Sequence, residues 1–154
     1  MSMWEPFGAR ARRTIVRAQE VAHLFGSGFI GTEHIAFALA EGDDEVGHLL
    51  ANALDREAIR ERLGSLSEAP RSELVFTRGA KRSIELAFVN ARRLNHNYIG
   101  VAHLALGLLD AGDPLDPGDP PALVPGGDVT ALRAALAAVA ADDDPTATRA
   151  KQIE

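Results

Sequence analysis

Apolar residues recur early in the chain at Ala11, Ile15, Ala18, Ala22 and Phe25. Steps of four, three, four and three residues keep all five on one face of a helix. The stripe returns at Ala80, Ile84, Ala87, Ala91 and Leu94. A shift of 69 positions superposes the two stripes and also pairs Phe7 with Phe76, Arg13 with Arg82, Ile30-Gly31 with Ile99-Gly100, His34 with His103 and Leu39 with Leu108. No gap is needed before the acidic loops. The chain is therefore a tandem duplication, and its pattern predicts an all-α fold of two similar halves sharing a core.

Local signals place the helix ends. Gly26-Ser27-Gly28 stops the first helix, and Asn95-His96-Asn97 stops its copy, where Asn tolerates a left-handed cap. Thr32 is expected to cap a second helix that runs to about Glu41 and is closed by Gly42. Asp43 is expected to cap a third helix through Val46, Leu49, Leu50 and Ala53, and Asp55 a fourth through Ala58, Ile59 and Leu63. These boundaries give a first repeat over 7–64, a linker over 65–75 and a second repeat over 76–141. After Gly112 come Pro114, Pro117, Pro120, Pro121 and Pro125. Proline lacks the backbone donor and clashes inside a helix, so a loop is expected to replace the third helix of the second repeat. Helix resumes after Asp128 with Val129, Leu132, Leu136 and Val139, and an acidic tail over 142–154 is expected to be disordered.

Composition narrows the chemistry. The chain has 154 residues and no cysteine, which excludes a disulfide framework, a thiol nucleophile and cysteine-ligated zinc. No apolar run reaches the roughly 18–20 residues of a membrane span, and the start carries no signal pattern, so a cytoplasmic protein without membrane contact is expected. A formal net charge of −6 argues against general binding to nucleic-acid phosphates. No Gly-x-x-x-x-Gly-Lys-Ser/Thr phosphate loop occurs, so the expectation is a non-enzyme with no nucleotide or other cofactor.

The stretches FGARARRTIVRAQEVAHLFGSGFIGTEHIAFAL and FTRGAKRSIELAFVNARRLNHNYIGVAHLALGLL resemble the two halves of the Clp N-terminal (Clp repeat) domain, closest to that of ClpC unfoldases. The resemblance covers roughly residues 4–141. It implies a pseudo-twofold helical domain of about eight helices that recruits substrates and adaptors to an ATP-driven ring. This chain lacks the ring's phosphate loop, so a free-standing recognition domain acting as adaptor, decoy or competitor is expected.

Four groups of residues are candidates for function. Thr32 and Glu33 stand at a helix start, where free N–H groups and the dipole favour anions. The resemblance implies that a carboxylate here helps hold phosphoarginine, a degradation mark; the alternative is a first-turn acid that only steadies its helix. The second repeat has Ala102 in its place. Trp4, Phe7 and Phe76 precede the first helix of each half. The resemblance implies a hydrophobic groove there for adaptors or, in actinobacterial members, cyclic-peptide antibiotics; packing of Phe7 and Phe76 between the halves is the alternative. Arg10, Arg13 and Arg17 share a helix face, to which Arg12 adds, either solvated and paired with acids such as Glu20 or open to a phosphate- or carboxylate-bearing partner. His34 and His103 read as partly buried imidazoles bonding backbone, with no sequence cluster to make a metal site and no nucleophile set around Ser27.

Overall fold

The computed structural model describes residues 7–26, 28–53, 57, 60, 75–111 and 129–142. The elements follow the chain as α1 (Ala9–Leu24), β1 (Phe29–Ile30), α2 (Thr32–Ala40), α3 (Glu45–Ala53), β2 (Val75–Phe76), α4 (Arg78–Arg93), α5 (Val101–Asp110) and α6 (Val129–Asp142). The all-α class holds. Most of the expected fourth helix, the linker before Val75, the proline-rich loop and the tail beyond Asp142 lie outside the described residues, as does Trp4.

The stripe residues of α1 and α4 form the buried faces of those helices, and Phe25 and Leu94 pack at the stripe ends. Both helices close with a left-handed residue at matching positions, Gly26 at φ 66° and Asn95 at φ 59°. Asn is among the few side chains that adopt this conformation readily. Helices α2 and α5 are apolar nearly all round. Every residue of α2 is buried, as is α5 from Ala102 to Leu108. They occupy the centre, with α1 and α3 against α2, and α4 and α6 against α5.

Three expected boundaries are corrected. Gly31, not Thr32, is the N-cap of α2, and Thr32 opens the first turn. Asp44, not Asp43, precedes α3, and its Oδ1 accepts from Gly47 N at 2.7 Å. Val75 belongs to β2 rather than to the linker. The short strands themselves were not legible in the periodicity. β1 and β2 pair in parallel, Phe29 with Val75 and Ile30 with Phe76, and Phe7 makes an isolated parallel bridge with Ile99. Thr77 N donates to Ile30 O and Gly8 N to Ile99 O, each at 2.9 Å. These positions are equivalent under the repeat. The segment leading into the first helix of each half thus bonds to the segment leading into the second helix of the other.

The repeated histidine has a local cause. With glycine at the N-cap of α2 and α5, no side chain is available there to cap the helix. Instead Nδ1 of His34 accepts from Gly31 N and Nδ1 of His103 from Gly100 N, each at 2.8 Å. The imidazole at N3 reaches back to the cap, as Glu or Gln does in a capping box. Both rings are fully buried, deeper than the sequence suggested. Burial pushes both down to about 4, with His96 adding to the effect at His103.

The two helix pairs differ in closeness. A Cβ on Gly107 of α5 would fall 2.1 Å from Ser83 O of α4. Backbone meets backbone at that crossing. The matching residue of α2 is Ala38, whose Cβ forbids the same approach to α1.

Two expectations follow. Gly107→Ala should cost about 1–3 kcal/mol or more through overpacking, while Ala38→Gly should cost only about 1 kcal/mol of helix propensity. Urea denaturation of both variants would check this. The buried histidines also make stability depend on pH. Their folded values lie below the ordinary 6.5, so the unfolded chain binds more protons between about 4 and 6.5. Stability is full above 6.5 and falls as pH drops, by about 2 kcal/mol per histidine by pH 5. The double variant His34→Gln/His103→Gln keeps an N3 acceptor, and its urea midpoint should vary less between pH 7.5 and 5 than the parent's.

Candidate functional site

Thr32 and Glu33 occupy the first turn of α2. Thr32 Oγ1 donates to Glu33 Oε1 at 3.1 Å. Glu33 is 3 % exposed, and its Oε1 lies 3.0 Å from where a Cβ on Gly31 would stand. The carboxylate therefore folds back over the helix start, and its present contacts are internal. A ligand could use it only after it turned outward. At the matching position of α5, Ala102 is buried and carries no polar group.

The aromatic residues separate. Phe7 is 4 % exposed, and its ring meets Phe88 of α4 edge-on at 5.7 Å between centroids. It belongs to the shared core, which corrects its assignment to an open groove. The cause is the strand exchange, which draws the residue before α1 under the second repeat. Phe76 is half-buried and packs against the core from β2, which leaves part of its ring accessible. Trp4 lies outside the described residues, so the structure does not bring the three together.

The arginine face of α1 divides in the same way. Arg17 grips Glu41 through Nε and Nη2 at 3.0 and 3.1 Å and reaches Glu20 through Nη1 at 3.1 Å. Its hydrogen bonds to those two acids hold its guanidinium charged well above the usual range. Arg10 stands 3.9 Å from Asp44. Arg13 is exposed and makes no ion pair among the described residues. Arg10, Arg13, Arg17, Glu41 and Asp44 wall a cleft of about 420 Å³ between α1 and the C-terminal end of α2, with Ala38 and Val101 also lining it. Val101 reaches this place because Gly8 bonds to Ile99, which sets the start of α1 beside the start of α5.

Sequence spacing missed one cluster. His103 Nδ1 accepts from Gly100, so its single proton sits on Nε2, which donates to His96 Nδ1 at 2.9 Å. Tyr98 stacks on His96 with an interplanar angle of 16°. The two histidines are seven residues apart, on the turn after α4 and in the first turn of α5, so helical spacing does not pair them. No group of three or more His, Asp or Glu side chains able to hold a metal occurs among the described residues. No helix among them is long and apolar enough to cross a membrane.

Comparison with known proteins bears on this architecture. The profile of the Clp repeat (R) N-terminal domain matches residues 6–115. The chloroplastic chaperone protein ClpC1 of Arabidopsis thaliana is 40 % identical over 118 residues, which is 73 % of this chain and 13 % of that protein. An ATP-dependent Clp protease ATP-binding subunit, the ClpA homolog of Guillardia theta, is 39 % identical over 117 residues, 72 % of this chain and 14 % of its own length. The chain thus spans only about a seventh of the curated relatives it matches. In fold it is similar to the N-terminal domain of the chaperone ClpD from Arabidopsis thaliana, with TM-score 0.67 and 24 % identity, covering 90 % of this chain and 97 % of the other. The Hsp104 N-terminal domain from Candida albicans gives TM-score 0.73 at 16 % identity, covering 92 % and 95 %. With the family profile matching residues 6–115 and the curated relatives aligned over nearly three quarters of its length, the chain belongs to the Clp repeat (R) N-terminal domain family.

Proposed function

We propose that this chain is a non-enzymatic module that binds proteins or peptides, the substrates or adaptors of a ClpC-type protease, and thereby tunes that protease. The observation that carries this reading is the family match across residues 6–115, which spans the first repeat and most of the second. The histidines support it from the other side. His34 and His103 are spent on helix caps, in sites too buried to reach a substrate. Added in excess to a reconstituted ClpC-type protease with adaptor and substrate, the protein is expected to slow degradation by competing for one of them. Unchanged degradation at large excess would overturn the reading.

At finer grain, the reading places phosphoarginine-type marks at Thr32 and Glu33. The first-turn N–H groups of α2 suit a phosphate, and the Glu33 carboxylate suits a guanidinium once it has left Thr32. A charge-assisted contact of this kind is worth about 1.5–3 kcal/mol, roughly ten- to a hundredfold in affinity. Calorimetry with free phosphoarginine should find at most one site per chain, removed by Glu33→Ala. Two equivalent sites, or undiminished binding in the variant, would sink the assignment. Sequestration of a cyclic-peptide antibiotic is the second reading, and the half-buried Phe76 is the observation that favours it. That reading requires a Trp4 fluorescence shift on adding a ClpC-directed cyclic peptide, and weaker binding in Phe76→Ala.

A further inference from the structure

The cleft of the first repeat has no room to exist in the second. There, Gly79 and Ser83 stand where α1 carries Arg10 and Thr14, and Gly107 lets α5 touch the backbone of α4. In the first repeat Ala38 keeps α1 off α2, and the gap is lined by arginine side chains. Its volume of about 420 Å³ falls in the range of pockets that take ligands.

The charges in the cleft are unequally committed. Glu41 is neutralised by a two-point contact with Arg17. Asp44 is held through Oδ1 by Gly47 N at 2.7 Å, and Arg10 is only at the margin of an ion pair with it at 3.9 Å. Arg13 has no acid partner among the described residues. Asp43 is the one rim acid with neither an ion pair nor a cap bond among them, and it lies on the exposed loop before α3. Arg10 and Arg13 are three residues apart on one helix face, so their guanidinium groups can converge on one anion. The chain's net charge of −6 does not prevent this, because charges beyond about 8–10 Å are screened at physiological salt.

We propose that this cleft binds an acidic side chain of a peptide segment, with Arg10 and Arg13 taking the carboxylate and Ala38 and Val101 bearing on the neighbouring chain. The arginine fork matches a planar carboxylate in two-point geometry. The adjoining acids Glu41, Asp43 and Asp44 disfavour a polyanion, which would meet them along its length. The inference rests on the protein-binding reading above but uses a different face from Thr32, Glu33 and Phe76.

The test is fluorescence anisotropy with a labelled eight-residue peptide carrying two adjacent glutamates, beside the same peptide with glutamines. Saturable binding of the acidic peptide is expected, weakened tenfold or more in the glutamine form and in Arg13→Glu. Arg13 is an exposed helix residue, so its variant should stay folded, and circular dichroism would confirm it. Glu33→Ala and Phe76→Ala should bind this peptide as the parent does. Equal binding of the two peptides, or full binding by Arg13→Glu, would overturn the proposal. Displacement by equimolar inorganic phosphate would overturn it in favour of a free-anion site. The protease assay separates the two claims, since a parent protein that slows degradation yet binds the two peptides equally would sink only the cleft.

Discussion

Two backbone hydrogen bonds organise this molecule. Gly8 N donates to Ile99 O, and Thr77 N donates to Ile30 O. Each ties the entry of one repeat's first helix to the entry of the other repeat's second helix. Neither half therefore closes its own core. The reciprocal exchange buries Phe7 beneath Phe88 and draws Val101 to the mouth of the α1–α2 cleft. A duplicated unit joined only by a linker could drift into two domains. Here the apolar faces of α2 and α5 meet in a single core because the backbone at both joints is shared.

Within this frame the same position often does different work in the two copies. Glu41 and Asp110 are equivalent acids at the ends of α2 and α5. Glu41 is held by Arg17 of its own neighbour α1, whereas Asp110 receives Arg133 from α6 at 2.8 and 3.0 Å and Asn90 Nδ2 at 2.9 Å. Burial alone would raise Asp110, yet the hydrogen bonds from Arg133 and Asn90 hold it below the usual carboxylate range. That acid has become the anchor of the last helix. Its counterpart in the first repeat stays on the surface as part of a cleft wall.

Much of this fold was legible in the sequence. The stripe of Ala11, Ile15, Ala18 and Ala22 and its copy gave the outer helices, because spacing along a helix maps directly onto a face. The repeated spelling around His34 and His103 pointed to structure, although its reason, a side-chain acceptor for a glycine cap, needed coordinates. The strand exchange could not be read, since two-residue strands have no periodicity and their partners are 46 and 92 residues away. The candidate sites fared less evenly. The family resemblance offered Glu33 and Phe7 as ligand contacts, with core packing of Phe7 as the alternative, and burial, which the whole assembly decides, turned both inward. Arg17 and Glu20 paired as their spacing implied. The cleft beside them depended on a single methyl group at Ala38 set against Gly107, a difference that no propensity scale weighs as functional.

That contrast says where binding capacity can arise in a duplicated domain. The cross-bonded entries join both halves at once, and each imidazole cap satisfies the buried start of a central helix, so both features are the same in the two copies. Divergence is left to positions that face one copy only. Helix α1 carries Arg10 and Thr14 where α4 has the small residues Gly79 and Ser83, and α2 has at Ala38 the Cβ that α5 lacks at Gly107. Small residues at a crossing let helices close and spend their surface on each other. Larger ones hold the helices apart and leave that surface, with its charges, facing solvent. One repeat has thus been spent on packing, and the other has kept a gap whose most available charge is the guanidinium of Arg13.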